Sequence, residues 1–319
     1  MNASADIEER IQALLAIRAS FPELWSTFDK ESVPVFRTLF AEVQGEGKSF
    51  LEIGSGHGFG CVFFALLGAS EVHGLELLPA AAEVAEEVKR RLDPSIQVYF
   101  RQGDAARGLP YEDERFDVVL LIEVISHVIF PDFKAFIDEL VRVVRPGGFL
   151  YISDGNNARS WKRRYENYRI WERFDQGPPT REGETVFGHT VGTPYVAARR
   201  DIALKAVQSL SWEEAERISA LTFRFEAEQV RGAARRYAAT GELPNSLFRR
   251  RICPIDPLNR MYIEQLIDPL ELRSLIRSAG CRVVYCGPRR RLPLQSVWVR
   301  FPWLAFLFTN GFRLVAVRE

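Results

Sequence analysis

The chain has 319 residues, 47% of them hydrophobic and 26% charged, a composition that supports a packed core and excludes wholesale disorder. Lysine and arginine number 42 and so do aspartate and glutamate, so no global field draws the molecule to nucleic acid or an anionic membrane. Cys61, Cys253, Cys281 and Cys286 form no Cys-x-x-Cys pair and have no histidines at metal spacing, which argues against a disulfide framework or zinc site and for a cytoplasmic setting.

The first residues carry Asp6, Glu8 and Glu9 where a secretory signal would be basic and then apolar, so no export signal is visible. Ile7, Ile11, Leu14 and Leu15 recur at helical spacing, and a second helix is expected over Val33 to Val43. Residues 1–48 therefore read as a helical cap, which could cover a pocket mouth or pair with a second subunit. Ser49 to Ile53 reads as a buried strand entering the glycine run Gly54-Ser55-Gly56-His57-Gly58, with a helix over Cys61 to Leu67. The alternation continues with a strand at Glu71–Glu76, a helix at 80–92, strands at 97–101 and 116–122, a helix at 133–144 and a strand at 149–153. Near-continuous apolar strands alternating with helices predict a doubly wound, mostly parallel α/β sheet covered on both faces.

After Asp154 the text turns helical, charged and aromatic, so residues 155–267 read as an insertion or lid after the fifth strand. Ser211-Trp-Glu-Glu214 has the form of a capping box, and the spacing predicts one long helix from there toward Tyr237, ending near Gly241. From Asp268 the sheet grammar returns with a helix closed by Gly280, a strand from Cys281 to Cys286 and a last strand at Phe312–Val317. Phe301 to Phe308 is far shorter than the roughly 20 residues of a spanning helix and reads as core or pocket wall.

A glycine loop between strand and helix lets backbone approach a ligand, though such turns also occur with none. The dinucleotide fingerprint needs a glycine at the sixth position, where Phe59 stands when counting from Gly54. With Glu52 two residues before Gly54, the Gly-x-Gly-x-Gly spacing resembles the first motif of the class I, Rossmann-like S-adenosylmethionine-dependent methyltransferases. Glu76 at the end of the second strand, Gly103-Asp104-Ala105 after the third, Glu123 to His127 after the fourth, Val143 to Leu150 into the fifth and Leu275 to Val284 late in the chain resemble that family in order. The resemblance covers residues 50–154 and 268–319 and implies a seven-stranded methyltransferase sheet. It also implies S-adenosylmethionine as cofactor and S-adenosylhomocysteine as product. Glu52, Gly54, Ser55, Gly56 and Gly58 would then border the methionine part, Glu76 with Leu77 the ribose, Asp104 and Ala105 the adenine, and Glu123 the methionine moiety through its backbone.

The reaction asks mainly for a nucleophile held in line in a dry site and, where needed, for removal of a proton. His127, just past the fourth strand, is the first base candidate and His189 the second, each of which could instead merely pack. In the insertion, Asn156, Tyr165, Tyr195 and Arg199 are candidate acceptor contacts, or else the interior and surface of a helical cover. Asp154 and Asn156 invite comparison with metal-dependent enzymes of this fold, but Gly155 separates them and no metal is expected. The acceptor expected is a small molecule, methylated at oxygen or nitrogen, such as a natural product or sugar. An RNA or other nucleic-acid methyltransferase is the alternative raised by the clusters Lys162 to Arg164, Arg249 to Arg251 and Arg289 to Arg291, and a non-catalytic cofactor-binding protein is another. No nucleic-acid or membrane partner is expected, and monomer or homodimer stays open.

Overall fold

A computed structural model describes residues 3–21, 28–187, 189–245, 251–289 and 301–319. Apolar runs at Ser49–Ile53 (β1), Glu71–Glu76 (β2), Val98–Gln102 (β3), Phe116–Ile122 (β4) and Val144–Asp154 (β5) pair in parallel in the order β3-β2-β1-β4-β5. Phe312–Arg318 (β9) runs antiparallel to β5, and Cys281–Pro288 (β8) antiparallel to β9, completing a seven-stranded sheet. A short hairpin, Ile255–Asp256 (β6) and Met261–Tyr262 (β7), stands apart from it.

Alternation along the strands feeds two cores. Leu51, Val119 and Leu121 face Phe136, Ile137 and Leu140 of Phe133–Val143 (α5) and Leu272 and Ile276 of Pro269–Ser278 (α10). Phe50, Val118 and Leu120 face the other way, onto Ala3–Ala19 (α1), Val33–Glu42 (α2), Phe59–Leu66 (α3) and Pro79–Arg90 (α4). Ile11 and Leu14 of α1 are fully buried there, at about 1.5–3 kcal/mol each for burying side chains of this size. The amino-terminal helix is thus core on one face, packed on α3.

Two expectations change. The strand β5 starts at Val144, because a register shift between Phe116 and Val118 absorbs the Arg145-Pro-Gly-Gly turn rather than breaking the pairing. The single long helix from Ser211 is two helices, Trp212–Leu221 (α8) and Ala227–Thr240 (α9). Thr222 turns its hydroxyl back onto the Ile218 carbonyl, buried Phe223 engages the β6 backbone, and a second capping box at Glu226 and Gln229 restarts the helix.

These helices, with Trp161–Gln176 (α6) and Tyr195–Ala206 (α7), lie between β5 and α10. Ala203, Leu210, Ala215, Ile218, Val230 and Ala234 give this segment a core of its own. Its entry and exit are clasped together: Ile267 N–H donates to the Asn156 carbonyl and Ala158 N–H to the Ile267 carbonyl, both at 2.8 Å. The stretch Pro302–Phe308 (α11) buries Ala305 and Phe306 but leaves Trp303 and Phe308 outward, so only one side of it is core. Among the described residues no helix is long and apolar enough to cross a membrane.

Candidate active site

At the carboxyl ends of β1 and β2, the loop between β1 and α3 is held by amides. Gly54 N–H donates to the Leu75 carbonyl at 2.8 Å, and Gly54, Gly56 and Gly58 all have positive φ, at 67°, 53° and 78°. A Cβ on Gly54 would meet Val124 at 2.4 Å and one on Gly58 would meet Phe100 at 2.5 Å, so packing alone demands those two glycines. At Gly56 a Cβ would meet nothing within 4 Å, so there the loop faces open space. Glu76 supports that face, its Oε2 accepting from Gly56 N–H at 2.8 Å and its Oε1 from Leu78 N–H at 2.9 Å. Each carboxylate oxygen keeps a further lone pair able to accept a ligand hydroxyl.

The neighbouring strand end adds Asp104, which caps a single 3₁₀ turn, Ala105–Arg107, by accepting from Ala106 N–H at 3.1 Å. Its other oxygen pairs with Arg107 at 3.2 Å and Arg260 at 3.5 Å. Leu77, half-buried, lies between the two acids in the chain, and its carbonyl accepts from the Gln102 side chain. Ser55 Oγ is buried without a hydrogen-bond partner among the described residues. An open glycine face, an acid at the end of β2 and an unsatisfied hydroxyl fit an adenosine-bearing ligand.

Glu52 departs from expectation. Its carboxylate is buried behind the loop, accepting from Cys61 Sγ at 3.1 Å and lying where a Cβ on Gly60 would touch it, so it floors the loop instead of facing the open side. Burial pushes its carboxyl up to about 7.

At the ends of β4 and β5 the site changes character. Glu123 sits at φ 57°, a conformation costly for any residue but glycine, while its Oε2 accepts from Gly155 N–H at 3.1 Å and its Oε1 pairs with Arg289. Below it lies a polar network of residues far apart in sequence. Asp154, fully buried, accepts from Ser126 N–H at 3.2 Å and from Asn156 N–H at 2.8 Å. The Asn156 amide nitrogen also bridges Asp154 Oδ1, at 3.0 Å, to Glu264 Oε2, and its oxygen accepts from Arg163 and Asn167. His189 Nε2 lies 3.4 Å from Glu264 Oε1, and His127 Nδ1 lies 3.0 Å from the Tyr262 carbonyl. Burial pushes the Asp154 carboxyl up while nearby His127 draws it down; burial holds the His189 imidazole below its ordinary value. Ser126 Oγ, fully buried, has no partner among the described residues.

The two histidines expected as bases therefore come together around two buried carboxylates, whereas the expected acceptor contacts do not. Asn156 spends its amide inside this network. Arg199 is fully buried against Asp175 at 2.8 Å and donates to the Ser219 carbonyl, so its guanidinium braces α7 against α6 and α8 and has no open face for an acceptor. Tyr195 is buried beside Phe174, and burial pushes its phenol well up. Tyr165 points outward at 59% exposure. Sequence reasoning missed Glu264, whose signal was an acid inside the apolar run Met261 to Ile267, and Arg163, which it read as one of a basic surface cluster. Of the other clusters, Arg249, Arg250, Arg290 and Arg291 lie outside the described residues. Among the described residues no three His, Cys, Asp or Glu side chains converge as a metal requires.

A family model described as a methyltransferase domain matches residues 51–152. The chain is 34% identical over 146 residues to the phthiotriol/phenolphthiotriol dimycocerosates methyltransferase of Mycobacterium leprae, covering 44% of this chain and 52% of that one. It is 32% identical over 139 residues to the fatty-acid O-methyltransferase of Mycolicibacterium smegmatis, covering 42% and 48%. The chain thus spans about half the length of the curated relatives it matches. A solved S-adenosylmethionine-dependent methyltransferase from Mesorhizobium loti aligns with a TM-score of 0.46 at 14% identity, over 90% of this chain and 97% of that one. The span matched by the family model, residues 51–152, is the stretch that carries the glycine loop, Glu76 and Asp104, so a methyltransferase domain lies over that part of the chain.

Proposed function

We propose that this chain transfers a methyl group from S-adenosylmethionine to an oxygen or nitrogen of a small-molecule acceptor, with residues 155–267 as the lid over that acceptor. S-adenosylmethionine, when bound, supplies a methyl carbon whose bond to sulfur breaks with the electron pair staying on sulfur, leaving S-adenosylhomocysteine. The observation that carries the reading is Glu76 anchored to the Gly56 amide beneath an open loop face, which would hold ribose hydroxyls while Asp104 and Ala105 border the adenine.

His127 is the residue we assign to the acceptor's proton, since it follows β4 directly and Nε2 makes no hydrogen bond among the described residues. His189 is the second such residue, tied to Glu264. One relative is named for O-methylation of a fatty acid, which supports oxygen as the acceptor atom and an apolar acceptor body. Trp303 and Phe308, exposed on α11 beside the ends of β5, suit an acceptor of that kind. The four cysteines, buried and unbridged, support a reducing compartment such as the cytoplasm.

Release of S-adenosylhomocysteine in the presence of a panel of hydroxylated, amino and carboxylic metabolites tests the reading. His127→Ala should lower turnover by about 10²–10⁴-fold with cofactor affinity unchanged. Full turnover in that variant would remove His127 from the chemistry.

A further inference from the structure

Two imidazoles and two carboxylates meet at the end of β5, and their hydrogen bonds decide which ring nitrogen carries the proton. A carbonyl oxygen can only accept, so the contact from His127 Nδ1 to the Tyr262 carbonyl at 3.0 Å requires a proton on Nδ1. That leaves the lone pair of Nε2. The Tyr262 amide closes the same contact from the other side, donating to the His127 carbonyl at 2.9 Å, so the β7 backbone holds both ends of the residue. His189 has the opposite arrangement: Nε2 lies 3.4 Å from the Glu264 carboxylate, which places the proton on Nε2.

The charges around this pair are mostly negative. Asp154 from β5 accepts from the amide of Ser126, the residue before His127, Glu264 from the segment before α10 lies 3.4 Å from His189, and among the described residues Arg163 from α6 is the arginine joined to the network through Asn156. Its guanidinium is already shared among Asn156, Glu264 and Glu166. A carboxylate acceptor brought to His127 Nε2 would meet two buried carboxylates, with Arg163, the cation of that network among the described residues, already committed, and like charges repel strongly in a partly desolvated site. A neutral hydroxyl meets no such barrier, and it brings the proton that Nε2 is arranged to accept.

We infer that the acceptor group is a neutral hydroxyl, that its proton passes to His127 Nε2 with the tautomer set by the Tyr262 carbonyl, and that Asp154 is the positioning residue whose charge steadies the resulting imidazolium. The inference rests on the methyl-transfer reading of the same site. In the step, the hydroxyl O–H bond breaks, its electron pair stays on oxygen for bonding to the methyl carbon, and the proton resides on His127 until it is lost to solvent. Unlike the relative named for a fatty acid, this chain would take an alcohol.

Long-range ¹H–¹⁵N spectra of the ¹⁵N-labelled full chain with S-adenosylhomocysteine, at about pH 8 where free imidazole is neutral, test this without any acceptor. Only four histidines contribute, and loss of one set of signals in His127→Gln assigns that ring. The expected result is the Nδ1–H tautomer at His127 and the Nε2–H tautomer at His189; an Nε2–H tautomer at His127 overturns the inference. A second measurement compares hexadecane-1,2-diol with palmitate as methyl acceptors. Methylation of palmitate but not the diol overturns the inference while leaving methyl transfer standing, whereas failure of the chain to bind S-adenosylmethionine overturns the underlying reading. With the diol, Asp154→Asn should reduce kcat about 10-fold with KM within about 2-fold, because charge on a protonated base matters in the transition state and little in binding. An unchanged kcat there removes Asp154 from the role, and the tautomer of the unmodified protein decides the matter even if this variant does not fold.

Discussion

The two ends of the site are built in different ways. On the β1–β2–β3 side, backbone amides and carbonyls do the holding: three glycines at positive φ, one acid bonded to a loop N–H, and one acid capping a turn. On the β4–β5 side the work falls to the side chains of Asp154, Asn156, Arg163, Asn167, His189 and Glu264, with contacts among them spanning up to 108 residues of sequence. A backbone cradle serves any molecule of the right outline. A side-chain network is more selective, and this one sets an imidazole held by a backbone carbonyl beside buried carboxyl groups.

The division can be broken from the acceptor side by Arg199→Met. That change leaves Asp175 charged and sealed from water, at a cost of about 3–5 kcal/mol in folding stability by urea denaturation. Adding Asp175→Asn should return much of it, since replacing both partners removes the uncompensated charge. If the two ends are separate constructions, cofactor affinity of the folded variants stays unchanged; a matching fall in affinity would show that the helical segment props up the loop.

From the cofactor side, Glu52→Gln sharpens the comparison. The folded carboxyl ionises near 7, above its ordinary 4.5, so the unfolded chain releases that proton first. Its contribution is fully present below about pH 4.5 and is lost as pH rises through about 7. Glutamine cannot ionise, so the variant should exceed the parent by up to about 3 kcal/mol at about pH 8.5 and show no advantage near pH 4.5. Parallel stability curves for the two proteins across that range would mean Glu52 is not the buried acid the loop rests on.

Legibility in the sequence follows the same line. Strand and helix periods, glycine spacing and the acids at successive strand ends are local patterns, and Glu71–Glu76 and Ser49–Ile53 have the bounds that apolar patterning predicts. The break at Thr222 was hidden because Phe223 and Phe225 continue an apolar rhythm, and the Thr222 hydroxyl and the second capping box interrupt it only once folded. The pairing of His189 with Glu264, and the sealing of Arg199 against Asp175, depend on which helices pack together. Residue type alone made Arg199 and Tyr195 look like ligand contacts; burial makes them interior.

Glu76 is bonded to the Gly56 amide at the open face of the loop, where we propose that the adenosine binds. Calorimetric titration of the chain and of Glu76→Ala with S-adenosylmethionine measures that directly. Loss of charged hydrogen bonds to a ribose, together with release of the Gly56 amide, should weaken binding by about 100-fold, or about 2–3 kcal/mol. Equal affinity in the two proteins, or no binding by the unmodified chain, would contradict it.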